Sequence, residues 1–288
     1  MVAVDRGRYT CLVADLTITA MKARELGRKG VVVGDRVALV GDVTGEPGQL
    51  ARIVRISPRT SVLRRTADDT DPVERVIVAN ADQLVVVTAL ADPEPRPRLI
   101  DRCVVAAYDA GLEPLLCLTK ADLADPKTLL DVYRPLGVRS VVTQQDQPPT
   151  ELVEQLVDRV SVFVGHSGVG KSTLVNKIVP GADRATGRVN EVTGRGRHTS
   201  TSAVALAVPG GGWVIDTPGI RSFGLAHVTA EQVLRGFPDL TGGTEACPRG
   251  CGHDEQDQSE CGLDGWVAGG HADEARLVSL RRLLAALA

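Results

Sequence analysis

Aromatic side chains are scarce, with three Phe, three Tyr and two Trp in 288 residues. A core must therefore be assembled from Val, Leu, Ile and Ala, which are abundant. Long apolar runs are missing as well. No stretch approaches the roughly 18 consecutive apolar residues of a membrane span, and the opening MVAVDRGRYT has no apolar signal-peptide region. A cytoplasmic protein with no membrane association is expected. Cysteine is sparing, six in all. Cys11, Cys103 and Cys117 stand alone among apolar neighbours, as small buried hydrophobes do in a reducing compartment. Cys247, Cys251 and Cys261 gather beside a histidine.

A large net charge is absent too, at −3, but the charges are unevenly placed. Residues 1–65 hold twelve Lys/Arg against six Asp/Glu, which leaves −9 for the remainder. The N-terminal segment is the candidate for touching a polyanion; the alternative is a solvated basic face with no partner.

What is present centres on residues 161–176, SVFVGHSGVGKSTLVN. An apolar run, Ser161–Val164, leads into Gly165, His166, Ser167, Gly168, Val169, Gly170, Lys171 and Ser172, and Thr173 continues into a helical pattern. This is a P-loop in its strand–loop–helix setting. The glycines let successive backbone N–H groups turn inward on phosphate oxygens, and the helix adds its positive N-terminal end. Lys171 would reach the β/γ-phosphates and Ser172 would ligate Mg²⁺.

The base is read elsewhere. Thr119-Lys120-Ala121-Asp122 follows the apolar run Leu115–Leu118 and looks like the N/T-K-x-D element of GTPases, in which the Asp accepts from guanine and the Lys stem lies over the base. Downstream, Trp213–Ile215 leads into Asp216-Thr217-Pro218-Gly219, a DxxG element: the Asp holds Mg²⁺ through water and the Gly N–H meets the γ-phosphate. Between them lies Gly194-Arg195-Gly196-Arg197-His198-Thr199-Ser200-Thr201. Thr199 is the expected switch threonine and Mg²⁺ ligand, with Thr201 in reserve.

Ordinary GTPases run P-loop, switch threonine, DxxG, N/TKxD; here TKAD comes first. A circularly permuted GTPase follows, and the chain closely resembles the bacterial ribosome-biogenesis family RsgA (YjeQ), the ribosome small-subunit-dependent GTPase. The resemblance also takes in Ala79-Asn80-Ala81-Asp82-Gln83, the run Pro218–Leu225 and the C-terminal Cys/His cluster. It covers nearly the whole chain.

Three parts are expected. In residues 1–65, short strand-like pieces (Cys11–Ala14, Leu16–Ala20, Val31–Val33, Val37–Val40, Leu50–Ile56) separated by glycine turns suggest a small antiparallel β-barrel of OB-fold type. Lys22, Arg24, Arg28, Lys29 and Arg36 lie in or beside its loops. Tyr9 is the only aromatic there, so phosphate and shape recognition is expected rather than base stacking. Residues 58–75 read as a linker. Residues 66–228 alternate strands and helices, the mark of a parallel α/β P-loop domain. After strand Val138–Thr143 the minor base-contacting element is not recognisable in Thr143-Gln144-Gln145-Asp146, and a helix over Thr150–Arg159 enters the P-loop strand.

Residues 229–288 form a zinc-binding helical domain. Cys247, Cys251, His253 and Cys261 have the spacing C-x₃-C-x-H-x₇-C, suited to a closed, structural Cys₃His zinc site; His271 is a distant substitute. The helix Ala272–Leu287 puts Leu277, Leu280, Leu284 and Leu287 on one face and Arg276, Arg281 and Arg282 elsewhere, for packing or for RNA.

Many GTPases hold the attacking water with a Gln after the DxxG glycine; here it is Ile220, which can do neither. His198, beside Thr199, is the polar candidate, and the resemblance points to the same histidine. The resemblance implies GTP hydrolysis activated by the small (30S) ribosomal subunit in late subunit maturation, contact with 16S rRNA, and Mg²⁺ with GTP. A monomer is expected. The alternative is an RNA-binding adaptor switched by GTP with negligible hydrolysis; an ATPase is opposed mainly by Asp122.

Overall fold

The computed structural model describes residues 1–5, 7–27, 30–66, 73–182, 203–218, 223–254 and 260–287. Five short strands open it: β1 (Ala3–Asp5), β2 (Arg8–Val13), β3 (Leu16–Lys22), β4 (Val37–Gly41) and β5 (Ala51–Ile56). Ala14 and Asp15, both at positive φ, make the tight β2–β3 turn. Alternate residues Cys11, Ile18, Ala20, Ala51 and Ile53 face a small core with Val31. The order is β1-β2-β3-β5-β4.

Two features differ from the all-antiparallel reading. β3 and β5 run parallel, Ala20 to Lys22 beside Ala51 to Ile53. Val31–Val33 is not a strand: Val33 makes a single bridge to Val78, and Val31 and Val33 drop into different cores. The buried Asp35 carboxylate accepts from Arg59 at 2.7 and 2.8 Å and from the Val32 N–H at 2.8 Å, which fixes this segment as a loop.

The expected linker contains β6 (Val62–Arg65), paired antiparallel with β7 (Arg75–Ala79). Next come β8 (Gln83–Ala89), α1 (Pro97–Asp109), β9 (Glu113–Thr119), α2 (Lys127–Tyr133), β10 (Arg139–Val142), α3 (Thr150–Leu156), β11 (Val160–Val164), α4 (Lys171–Ile178), β12 (Val204–Ala207) and β13 (Trp213–Asp216). Strands β10-β9-β8-β11-β13 are parallel and β12 is antiparallel to β13. The other edge of β12 meets β1 at Ala3 and Val204, so one eleven-stranded sheet runs through both halves.

β8 is buried at every position, as a parallel strand covered on both faces must be. Leu84 and Val86 point to the α1 side, Val85 and Val87 to the α3/α4 side. All three Phe are fully buried, and aliphatic residues supply most of the rest. Helix α3 stops at Leu156, short of the expected Arg159, because Val157 is extended and Asp158 takes positive φ to turn the chain into β11.

The tail carries α5 (Ala230–Leu234), α6 (Gly262–Ala268) and α7 (Glu274–Ala285). Leu277, Leu280, Leu283 and Leu284 of α7 enter the main core. Its arginines pair inward. Arg276 grips Asp239 at 2.6 and 2.9 Å, Arg281 grips Asp264 at 2.6 and 2.9 Å, and Arg282 lies 3.3 Å from Asp101. This helix is packing support. No described helix is long and apolar enough to cross a membrane.

Arg102 of α1 is buried and donates to Phe223 O at 2.6 Å and Ala286 O at 2.5 Å. It thereby ties the exit of the DTPG segment to the end of α7. Arg102→Met strips both carbonyls of a charged donor, and a loss of about 2–4 kcal/mol is expected in urea unfolding; an unchanged midpoint would refute the role.

Candidate active site

The parallel register of β11 and β13 sets Phe163 beside Asp216, so the P-loop and the DTPG segment leave the sheet side by side. Gly165 is required sterically: a Cβ there would lie 2.5 Å from Val87 O. Gly170, at φ +87°, is the left-handed residue that launches α4. Lys171 follows, almost fully buried, and its ammonium donates to the Asp216 carboxylate and to Thr217 O. The Thr217 hydroxyl donates to Phe163 O at 2.7 Å, which ties the DTPG segment to the end of β11.

Thr119, at the end of β9, is buried, and its hydroxyl donates to Val169 O at 2.6 Å. A single hydrogen bond thus joins the TKAD element to the P-loop although 50 residues separate them in the chain. Lys120 takes positive φ and its ammonium donates to Asp92 O. Beside them opens a pocket of about 120 Å³ walled by Thr119, Lys120, Thr143, Gln145, Thr173 and Lys177. The segment after β10 thus shares a pocket with Thr119 and Lys120, despite its unrecognisable sequence. Lys177 holds it, donating to Gln145 O and, at 3.1 Å, to Gln147 O. Asp122 is exposed and is not among the walls of this pocket; its carboxylate lies 3.5 Å from the backbone N of Gln145, which is one of them. Sequence reasoning missed Lys177 and Leu174, which also lines the pocket; the only signal was helical spacing from Gly170 and Thr173.

His166 is buried with its ring turned toward α1. Ser167 is exposed and Ser172 half-buried. His198, Thr199, Thr201, Gly219 and Ile220 lie outside the described residues.

The Asn80–Gln83 motif sits at the opposite end of β8 from Thr119 and is structural. Asn80 accepts from Thr60 N at 2.8 Å and donates to Gly34 O at 2.9 Å. Asp82 accepts from Val160 N at 2.7 Å, and Gln83 donates to Ser161 Oγ at 2.7 Å.

In the tail, the ligand atoms of Cys247, Cys251, His253 and Cys261 all lie within 4.8 Å of one another. His253 Nδ1 is 3.5 Å from both Cys247 Sγ and Cys251 Sγ and 3.7 Å from Cys261 Sγ, and Cys247 Sγ is 4.0 Å from Cys261 Sγ. A tetrahedral zinc with bonds of about 2.3 Å to sulfur and 2.0 Å to nitrogen needs edges of about 3.8 and 3.5 Å. The four donors fit one such ion. The Gly262 N–H adds a 3.2 Å contact to Cys247 Sγ. His271 stacks on Trp266 at 4.2 Å and is not among the four.

A family model described as RsgA GTPase matches residues 56–226. The small ribosomal subunit biogenesis GTPase RsgA of Ectopseudomonas mendocina (strain ymp) is 41% identical over 266 residues, 89% of this chain and 75% of that protein. The protein of the same name from Pseudomonas aeruginosa (strain LESB58) is also 41% identical, over 89% and 76%. Among solved structures, YjeQ from Thermotoga maritima has a TM-score of 0.71 at 27% identity, covering 99% of this chain and 96% of that one. YloQ, a circularly permuted GTPase, has a TM-score of 0.68 at 21% identity, covering 99% and 93%, a likeness of fold. Since both the sequence match and the permuted fold extend over most of the chain, it belongs to the RsgA GTPase family.

Proposed function

We propose that the chain hydrolyses GTP to GDP and phosphate and acts in small ribosomal subunit biogenesis, with the subunit as the partner that activates it. The observation that carries the reading is the Thr119–Val169 hydrogen bond, which couples a base-reading element to a phosphate-binding one around a single pocket. The adaptor alternative is not favoured, because the relatives are named as GTPases.

In this reading the backbone of Gly165–Gly170 and Lys171 hold the phosphates, with Ser172 and Thr173 completing the loop and the Gly219 N–H on the γ-phosphate. Lys120 covers the base and Asp122 accepts from it. Ser172, Thr199 and Asp216 would hold Mg²⁺; the buried carboxylate of Asp216, beside a lysine that can turn to phosphate, suits this. When bound, the metal neutralises developing charge on the phosphates. His198 orients the attacking water, and the subunit brings it into place.

Residues 1–65 act as an OB-type module on 16S rRNA, 66–228 as the GTPase domain and 229–288 as a helical zinc domain. The strand order β1-β2-β3-β5-β4 with β3 parallel to β5, together with the basic balance, supports the first; the donor geometry supports one structural zinc in the last. The protein works as a cytoplasmic monomer.

Base selection tests the site. Competition against a fluorescent GDP should favour GDP strongly over ADP. Asp122→Ala, losing two hydrogen bonds to a charged acceptor, should cost about 10²-fold in GDP affinity. Equal competition by ADP in the wild type would reject the reading.

A further inference from the structure

We propose that Arg96 and His166 form a positioning pair that clamps the segment Leu90–Arg96 onto the P-loop and slows nucleotide release; this rests on the nucleotide-site reading above. The segment already touches the site at three points. Leu90 N donates to Thr119 O at 3.0 Å, Lys120 donates to Asp92 O, and a Cβ built on Gly168 would lie 3.5 Å from the Pro93 ring. Arg96 closes the segment at the N-terminal boundary of α1.

The tautomer of His166 follows from its partner. Nδ1 lies 2.8 Å from Ser167 O, and a carbonyl only accepts, so Nδ1 carries the proton and Nε2 presents a lone pair. That Nε2 is buried without a hydrogen-bond partner among the described residues, in a residue 7% exposed. A buried acceptor left unmet is costly, so the site draws a donor.

The cavity around it is small, about 10 Å³, room for about one water. Its walls include Thr88, Arg96, Cys103, Gly165 and His166. Among these, Cys103 is a weak donor and Thr88 a single hydroxyl, whereas Arg96, exposed as a residue but reaching the cavity wall, has five N–H groups and no side-chain partner among the described residues. It is the donor suited to Nε2, directly or through one water. Burial, opposed by the hydrogen bond to Ser167 O and helped by the charges of Arg96 and Lys120, holds the imidazole below its ordinary pKa, which favours the neutral acceptor at pH 7.

The pair fixes the second P-loop residue, and with it the curl of N–H groups on the phosphates, while the guanidinium adds positive charge beside them. The test is release of fluorescent GDP by stopped flow from the full chain. Arg96→Met and His166→Leu should each speed release about tenfold. The double variant should be no faster than either alone, as for two ends of one contact. His166→Gln, whose amide oxygen can accept, should return toward the wild-type rate. An unchanged rate in Arg96→Met, or multiplying effects in the double variant, would overturn the pair; if Thr88→Val speeds release while Arg96→Met does not, the donor is Thr88 and the proposal fails. Failure of the wild type to bind GDP at all would instead refute the nucleotide-site reading.

Discussion

Lys171→Ala is expected to lower GTP turnover by at least about 10³-fold and to destabilise the fold at the same time. Its ammonium is buried against the Asp216 carboxylate and Thr217 O, and phosphate binding requires it to turn from these partners toward the β/γ-oxygens. Removing it takes away the charge that meets the phosphates during transfer, where positioning and electrostatics supply nearly all the catalysis. It also takes the Lys171 cation away from the buried Asp216 carboxylate, a loss of about 2 kcal/mol for a charge-assisted hydrogen bond. Single-turnover hydrolysis and urea unfolding should move together. Wild-type turnover in the variant would remove Lys171 from the mechanism, and unchanged stability would show that the Asp216 contact has no energetic weight.

Cys261→Ser is expected to release zinc and unfold the tail around α6. His253 Nδ1 lies 3.5 to 3.7 Å from all three sulfurs and the four donors all lie within 4.8 Å of one another, and structural zinc sites contribute on the order of 10 kcal/mol of folding free energy. The thiols give the readout. Cys11, Cys103 and Cys117 are buried, and burial pushes the Cys103 and Cys117 thiols up to about 12. They should ignore a thiol reagent in the folded protein. Chelation should therefore free one zinc and make three cysteines reactive, Cys247, Cys251 and Cys261. No metal in the purified protein, or six thiols reacting together, would contradict the site.

The chemistry of these sites was legible because it dictates residue types at fixed spacings: three glycines and a Lys-Ser pair for a phosphate cradle, three cysteines and a histidine for a tetrahedron. The parallel α/β half was legible too, since β8 and β11 are apolar runs of strand length flanked by turn residues. What escaped was long-range pairing. β1 and β6 have three and four residues, too few for a period to stand out, and β1 is held in part by β12, far along the chain. The parallel meeting of β3 with β5 and the junction of Ala3 with Val204 leave no local mark. Thr119 shows the same limit in the site. As a letter it is an Asn with its amide missing; in the fold its hydroxyl supplies the bond to the P-loop. The inward pairing of Arg276, Arg281 and Arg282 was equally hidden, because helical periodicity cannot say which acidic residue waits opposite.

The measurement that bears most directly on the whole account is steady-state hydrolysis of GTP and of ATP by the purified chain, with and without isolated small ribosomal subunits. The account predicts slow GTP turnover alone, a rise of at least about tenfold with subunits, and ATP untouched in both. GTP turnover that does not respond to subunits, or ATP hydrolysed as readily as GTP, would contradict it.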